Sequence, residues 1–125
     1  MAKTILHAQE VETFYLIPTL RRYYALILKE HGMKQKDIAT LLGISSASIS
    51  QYTSTKRGHK ISFPDNIVNQ IKESALRITN QSSYFKEIQL LLQLMRTEKI
   101  LCQIHRQFSE VPEECDPIAM GCHAR

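Results

Sequence analysis

QKDIATLLGISSASISQY, Gln35–Tyr52, is the stretch that decides the fold. Counted from Gln35, Ala39 is the fifth residue, Gly43 the ninth and Ile49 the fifteenth. Each position has a steric reason. Ala39 stands where two helices approach most closely, and a larger side chain would push them apart. Gly43 falls in the turn between them, where a positive φ is expected and a β-carbon is costly. Ile38, Leu42, Ile44 and Ile49 close a small core that fixes the crossing angle. The spacing predicts one helix over 35–42 and a second from Ser45 or Ser46, the cap, to about Tyr52. That arrangement is a helix-turn-helix, whose second helix is built to enter a major groove.

The outward face of the second helix is small and polar: Ser46, Ala47, Ser48, Ser50 and Gln51, beginning at Ser45. Serine can donate to or accept from a base edge, glutamine can pair with adenine, and an alanine methyl can touch the thymine methyl. Gln35 opens the preceding helix, where side chain and backbone N–H groups can reach a phosphate. Thr53–His59 reads as a polar, basic loop. Its Lys56 and Arg57, and Lys60 beyond it, are placed to meet phosphates beside the groove. Ordinary surface filling accounts equally well for any single serine, and helix C-terminal charge for the lysines.

Upstream, Pro18 to Glu30 reads as a helix, with Pro18 in its first turn and Gly32 after its end. Leu20, Tyr24, Ile27 and Leu28 recur at helical spacing. Downstream, Asp65 to about Thr79 follows Pro64, with Ile67, Val68, Ile71, Ala75 and Ile78 as its apolar stripe. The pattern then predicts one long helix from about Tyr84 to Gln107. Tyr84, Ile88, Leu91 and Met95 form one stripe, and Leu90, Leu94, Leu101, Ile104 and Phe108 another. So broad an apolar face suggests the joining of two copies. Almost no strand-like alternation occurs, so the expected class is all-α: a repressor-like helix-turn-helix bundle with a long C-terminal helix and an irregular tail. The expected division is 1–80 for DNA binding and 81–125 for a dimerisation helix and cysteine-containing tail.

Charge agrees with a polyanionic partner. Residues 1–60 hold nine Lys/Arg and four Asp/Glu, a net +5, whereas 61–125 hold seven and eight, a net −1. A basic module gains affinity for nucleic acid through counterion release. Of the 125 residues 43% are hydrophobic, enough to build a core. No apolar run of about 18 residues suggests a membrane span, and no leader pattern opens the chain, so a cytoplasmic protein without membrane association is expected. The sequence shows no phosphate loop, nucleophile elbow or His-Glu-x-x-His motif, which argues against an enzyme.

The run from Tyr24 to Gly58, then Ile61 to Ile78, resembles a family of small helix-turn-helix transcriptional regulators found in archaea and bacteria. The match spans roughly Phe14 to Ile78. Its distinctive pieces are LIPTLRR (Leu16–Arg22), the SQY-x-S-x-KRG ending and the Phe63-Pro64-Asp65 entry to the next helix. The resemblance implies a repressor-like fold, transcription regulation and double-stranded DNA as partner. It also implies a cysteine-rich tail, matched here by Leu101-Cys102-Gln103-Ile104-His105 and then Cys115. Cys122, where the family pattern has a tighter cysteine pair, departs from it.

The tail itself leaves several readings open. Cys102 and His105 are three apart on one helix face. With Cys115 and Cys122 they make a Cys₃His set suited to tetrahedral zinc or to an iron–sulfur cluster. Burial of Cys102 as a small hydrophobe, or a thiol redox switch, fits the same residues. The expected function is that of a sequence-specific, dimeric transcriptional regulator, with a metal or cluster as a controlling element. The alternative is an accessory DNA-binding subunit of a recombination or toxin–antitoxin system.

Overall fold

The computed structural model describes residues 5–54, 61–111 and 115. Every regular element among them is helical. In order these are α1 (Ala8–Val11), a π-helical segment (Glu12–Leu16), α2 (Ile17–Glu30), α3 (Gln35–Leu42), α4 (Ser46–Thr53), α5 (Asp65–Leu76), α6 (Gln81–Thr97) and α7 (Ile100–Phe108).

The α2 helix is the central strut. Leu20, Tyr24, Ala25, Ile27 and Leu28 are buried on it, and it packs against α3, α4 and α5. Residue α6 Tyr84 meets α2 edge-on through Tyr24, with ring centroids 6.0 Å apart. The Tyr24 hydroxyl shares a 2.7 Å hydrogen bond with Ser74 on α5, and Ser74 is fully buried. One apolar cluster runs from Ala8 to Ile104.

The helical run upstream of α2 begins earlier than the Pro18 expected from the sequence. Its first turns, from Ala8, are not sequence-legible because Glu12 interrupts the apolar pattern. Glu12 is only 6% exposed, and Arg96 of α6 holds it with a 2.7 Å ion pair. A carboxylate so buried is tolerated because its charge is matched and both its oxygens accept hydrogen bonds, each at 3.0 Å.

The expected single helix over 84–107 is two helices. It breaks at Glu98–Lys99, and Lys99 takes the left-handed conformation at φ 60°. The sequence there, RTEK, offers neither glycine nor proline to announce a stop. The break costs roughly 1–2 kcal/mol for a β-carbon in that conformation. It lets α7 fold back onto α1, burying Ile100, Leu101 and Ile104, each worth about 1.5–3 kcal/mol. Burial wins. Further contacts close the seam. Tyr15 stacks on Phe108 at 4.1 Å, His105 Nε2 lies 2.6 Å from the Leu6 carbonyl oxygen, and Leu6 N–H donates to Ser109 Oγ at 2.8 Å.

This fold-back also corrects the expected dimer surface. Tyr84, Ile88, Leu91 and Met95, together with Leu101 and Ile104 from the second stripe, are buried within the chain itself. Leu90 alone of the two stripes is exposed, at 47%.

Candidate nucleic-acid interface

Two short helices and the turn between them carry the residues singled out for DNA contact. α3 ends at Gly43, which adopts φ 68°. The Gly43 N–H donates to the Thr40 carbonyl at 3.3 Å, and the Ile44 N–H reaches back to Ala39 at 3.0 Å. That pair of bonds is a Schellman closure, and it requires the left-handed residue the sequence assigns to Gly43. Ser45 then caps α4, its Oγ accepting the Ser48 N–H at 3.1 Å. Ile38, Ala39, Leu42 and Ile49 are buried between the helices, as expected, and Ile44 is half-buried.

The sequence SASISQYT is poor helix material, rich in serine and β-branched residues. Packing and capping therefore sustain α4. Ile49 and Tyr52 are buried, 1% and 2% exposed. At the C-terminal end the Arg22 Nη1 donates to the Tyr52 carbonyl at 2.6 Å and to the Ser54 carbonyl. The last carbonyls of a helix carry the negative end of its dipole, and a cation suits them. Arg21 donates to the Tyr52 hydroxyl at 3.4 Å and the Tyr84 hydroxyl at 3.5 Å. Burial opposes its charge, but the two tyrosine hydroxyls outweigh burial and hold its pKa above the ordinary arginine value. The Arg21-Arg22 pair thus positions the far end of α4, a role invisible in the sequence because both partners are distant in the chain.

The remaining face of α4 is open. Ser45, Ser46, Ala47 and Ser50 are exposed, and Ser48 and Gln51 half-buried. Gln35 does not stretch toward solvent. Its Nε2 donates to the Ser46 carbonyl at 2.9 Å and to Ser50 Oγ at 2.7 Å, linking the starts of the two helices. Both amide hydrogens are thereby used, so a phosphate contact through this side chain requires exchanging one of them. The N-terminus of α3 itself has no side-chain cap, and Lys34, Gln35, Lys36 and Asp37 around it are exposed. Lys34 and Lys36, which the sequence reading passed over, lie at an end of α3 where free N–H groups favour anions. Lys56, Arg57 and Lys60 lie outside the described residues.

Of the residues assigned to a metal, Cys102, His105 and Cys115 line one small pocket together with Ala8, Leu101, Arg106 and Val111. They share its wall, yet among the described residues no three His, Cys, Asp or Glu side chains converge as a metal-holding group. His105 also has its Nε2 committed to the Leu6 carbonyl. Cys122 lies outside the described residues. The described part of the chain therefore does not by itself form the Cys₃His site.

Among the described residues no helix is long and apolar enough to cross a membrane. Comparison with protein-family models, curated proteins and solved structures gave no match to this chain.

Proposed function

We propose that this chain is a sequence-specific DNA-binding regulator of transcription, with α3–α4 as a repressor-like helix-turn-helix and α4 as the helix that enters the major groove. The observation that carries this reading is the exposed, short-side-chain face of α4, tied by hydrogen bonds at both ends. Ser45 caps its start and Arg22 its end. Ser46, Ala47 and Ser50 project from a helix whose opposite side is locked by Ile49 and Tyr52. Small side chains admit close approach to base edges, while Lys34, Lys36 and the open N-terminus of α3 suit phosphate. The +5 charge of residues 1–60 favours association with a polyanion.

One such helix touches few base pairs, so operator-level specificity calls for two copies on half-sites about 34 Å apart. Control by a metal is a second reading, favoured by the shared pocket of Cys102, His105 and Cys115. Metal content of the full chain purified without oxygen decides it. Less than about a tenth of an equivalent of transition metal would leave the cysteines as packing and remove a cofactor from the account.

The DNA reading is tested by Ala47→Glu. Residue 47 is exposed, so the fold is expected to survive, while a carboxylate at the groove floor faces acceptor atoms and phosphate. Fluorescence anisotropy should show duplex binding by the wild type that falls steeply with salt, and its loss in the variant. Equal binding by a folded Ala47→Glu chain would place DNA elsewhere or nowhere.

A further inference from the structure

A second concave surface lies behind the α3–α4 turn. It is a cavity of about 360 Å³ bounded by α2, the Leu42–Ile44 turn and α6, at the lower end of the ~300–1,000 Å³ typical of small-molecule sites. Its body is apolar, with Ile17, Leu42, Ile88 and Leu92 among its walls, and Phe85 stands at its edge with 64% of its surface exposed. One charge enters it, that of Arg21. The ion pairs among the described residues are Arg77–Glu87 and Arg96–Glu12, and neither involves Arg21. Its hydrogen bonds, at 3.4 and 3.5 Å, go to tyrosine hydroxyls and sit at the long limit for such contacts. A partly buried guanidinium with no carboxylate partner among the described residues, at the wall of an apolar cavity, is matched by an anion carrying an apolar body.

We propose that this cavity binds a small amphiphilic carboxylate, its head on Arg21 and the Tyr84 hydroxyl and its tail along Phe85 and Ile88. The cavity wall includes the turn that joins α3 to α4, and Arg21 also reaches Tyr52 on α4. Occupancy that draws Arg21 toward the ligand therefore loosens one of its two ties and bears on where α4 sits. That consequence for DNA rests on the function proposed above, whereas the binding does not.

The test is an NMR titration of the full chain with octanoate, and with 1-octanol as the equally long uncharged control. Saturable shifts are expected at the amides of Gly43, Tyr84, Phe85 and Ile88, with octanol weaker by about tenfold or more for want of the charge-assisted pair. Arg21→Met should abolish the preference for the acid. Because Arg21 also braces two tyrosines, Gln89→Glu serves as an independent variant. This exposed residue lines the same cavity, and its carboxylate should weaken octanoate about tenfold while sparing octanol. No saturable shift at those amides at millimolar octanoate, or octanol binding as tightly as the acid, would overturn the proposal. So would groove shifts that follow protein concentration and not octanoate, since a second copy would then be the occupant.

Discussion

Gly43 and Lys99 occupy the same left-handed region, at φ 68° and φ 60°, and only one of them is a glycine. The difference predicts opposite mutational effects. A β-carbon on residue 43 meets nothing closer than Gln81 Nε2 at 3.6 Å, which is ordinary contact. Gly43→Ala should therefore destabilise through backbone strain alone, by about 1–2 kcal/mol. Lys99→Gly relieves the same strain but adds unfolded-chain entropy, leaving a net gain of roughly 0.5–1 kcal/mol. Thermal melts of the two variants should move in opposite directions. A Lys99→Gly melt below wild type would mean that α7 does not fold back as described. Tyr24 supplies a pH test. Burial, ahead of any other influence, pushes its phenol well above the ordinary tyrosine value. The protonated form is thus favoured by folding, so its stabilisation is intact below about pH 10 and is lost as pH rises beyond it. Tyr24→Phe should flatten that alkaline loss in urea titrations. At neutral pH it should cost about 1–3 kcal/mol, because fully buried Ser74 loses its partner.

Among the elements, α4 depends most on its neighbours. Its residues are weak helix formers, and Arg22 holds its final carbonyls. Arg22→Met keeps the aliphatic stem and removes the donors. Hydrogen exchange should then quicken at the last turn of α4, around Gln51–Ser54, while α2 and α5 keep their protection. Uniform loss of protection would mean that Arg22 supports the whole core and not the helix end. The α6–α7 region contrasts with α3–α4 in how far its sequence announces its structure. Positions 35–52 could be read directly because Ala39, Gly43 and Ser45 each satisfy a local geometric demand, and those helices stand where the pattern puts them. The 84–107 segment could not. Its helical periodicity continues across Glu98–Lys99, and the break is decided by burial against α1, a partner some ninety residues away in the chain. The roles of Glu12, Arg21 and Arg22 were hidden for the same reason: each is defined by a partner remote in sequence.

At the scale of the whole molecule, the described residues form an all-helical body in which α2 and α6 brace a helix pair with an open polar face. The Glu12–Arg96 pair is a long-range tie in that brace. Arg96→Met would leave Glu12 buried without its counter-charge, and urea denaturation should register a loss of about 3 kcal/mol. A loss near zero would show the carboxylate reaching water or taking a proton at little cost. The open face of α4 is the surface proposed to read DNA. Selecting binding sequences from a random duplex pool, then titrating the enriched duplex and a scrambled one against wild type and Gln51→Ala at fixed salt, tests that proposal most directly. Base readout by α4 should give a defined enriched sequence, a loss of about 1–3 kcal/mol on that sequence in the variant, and unchanged binding to the scrambled duplex. No enrichment, or equal affinity of wild type and variant for the selected duplex, would contradict it.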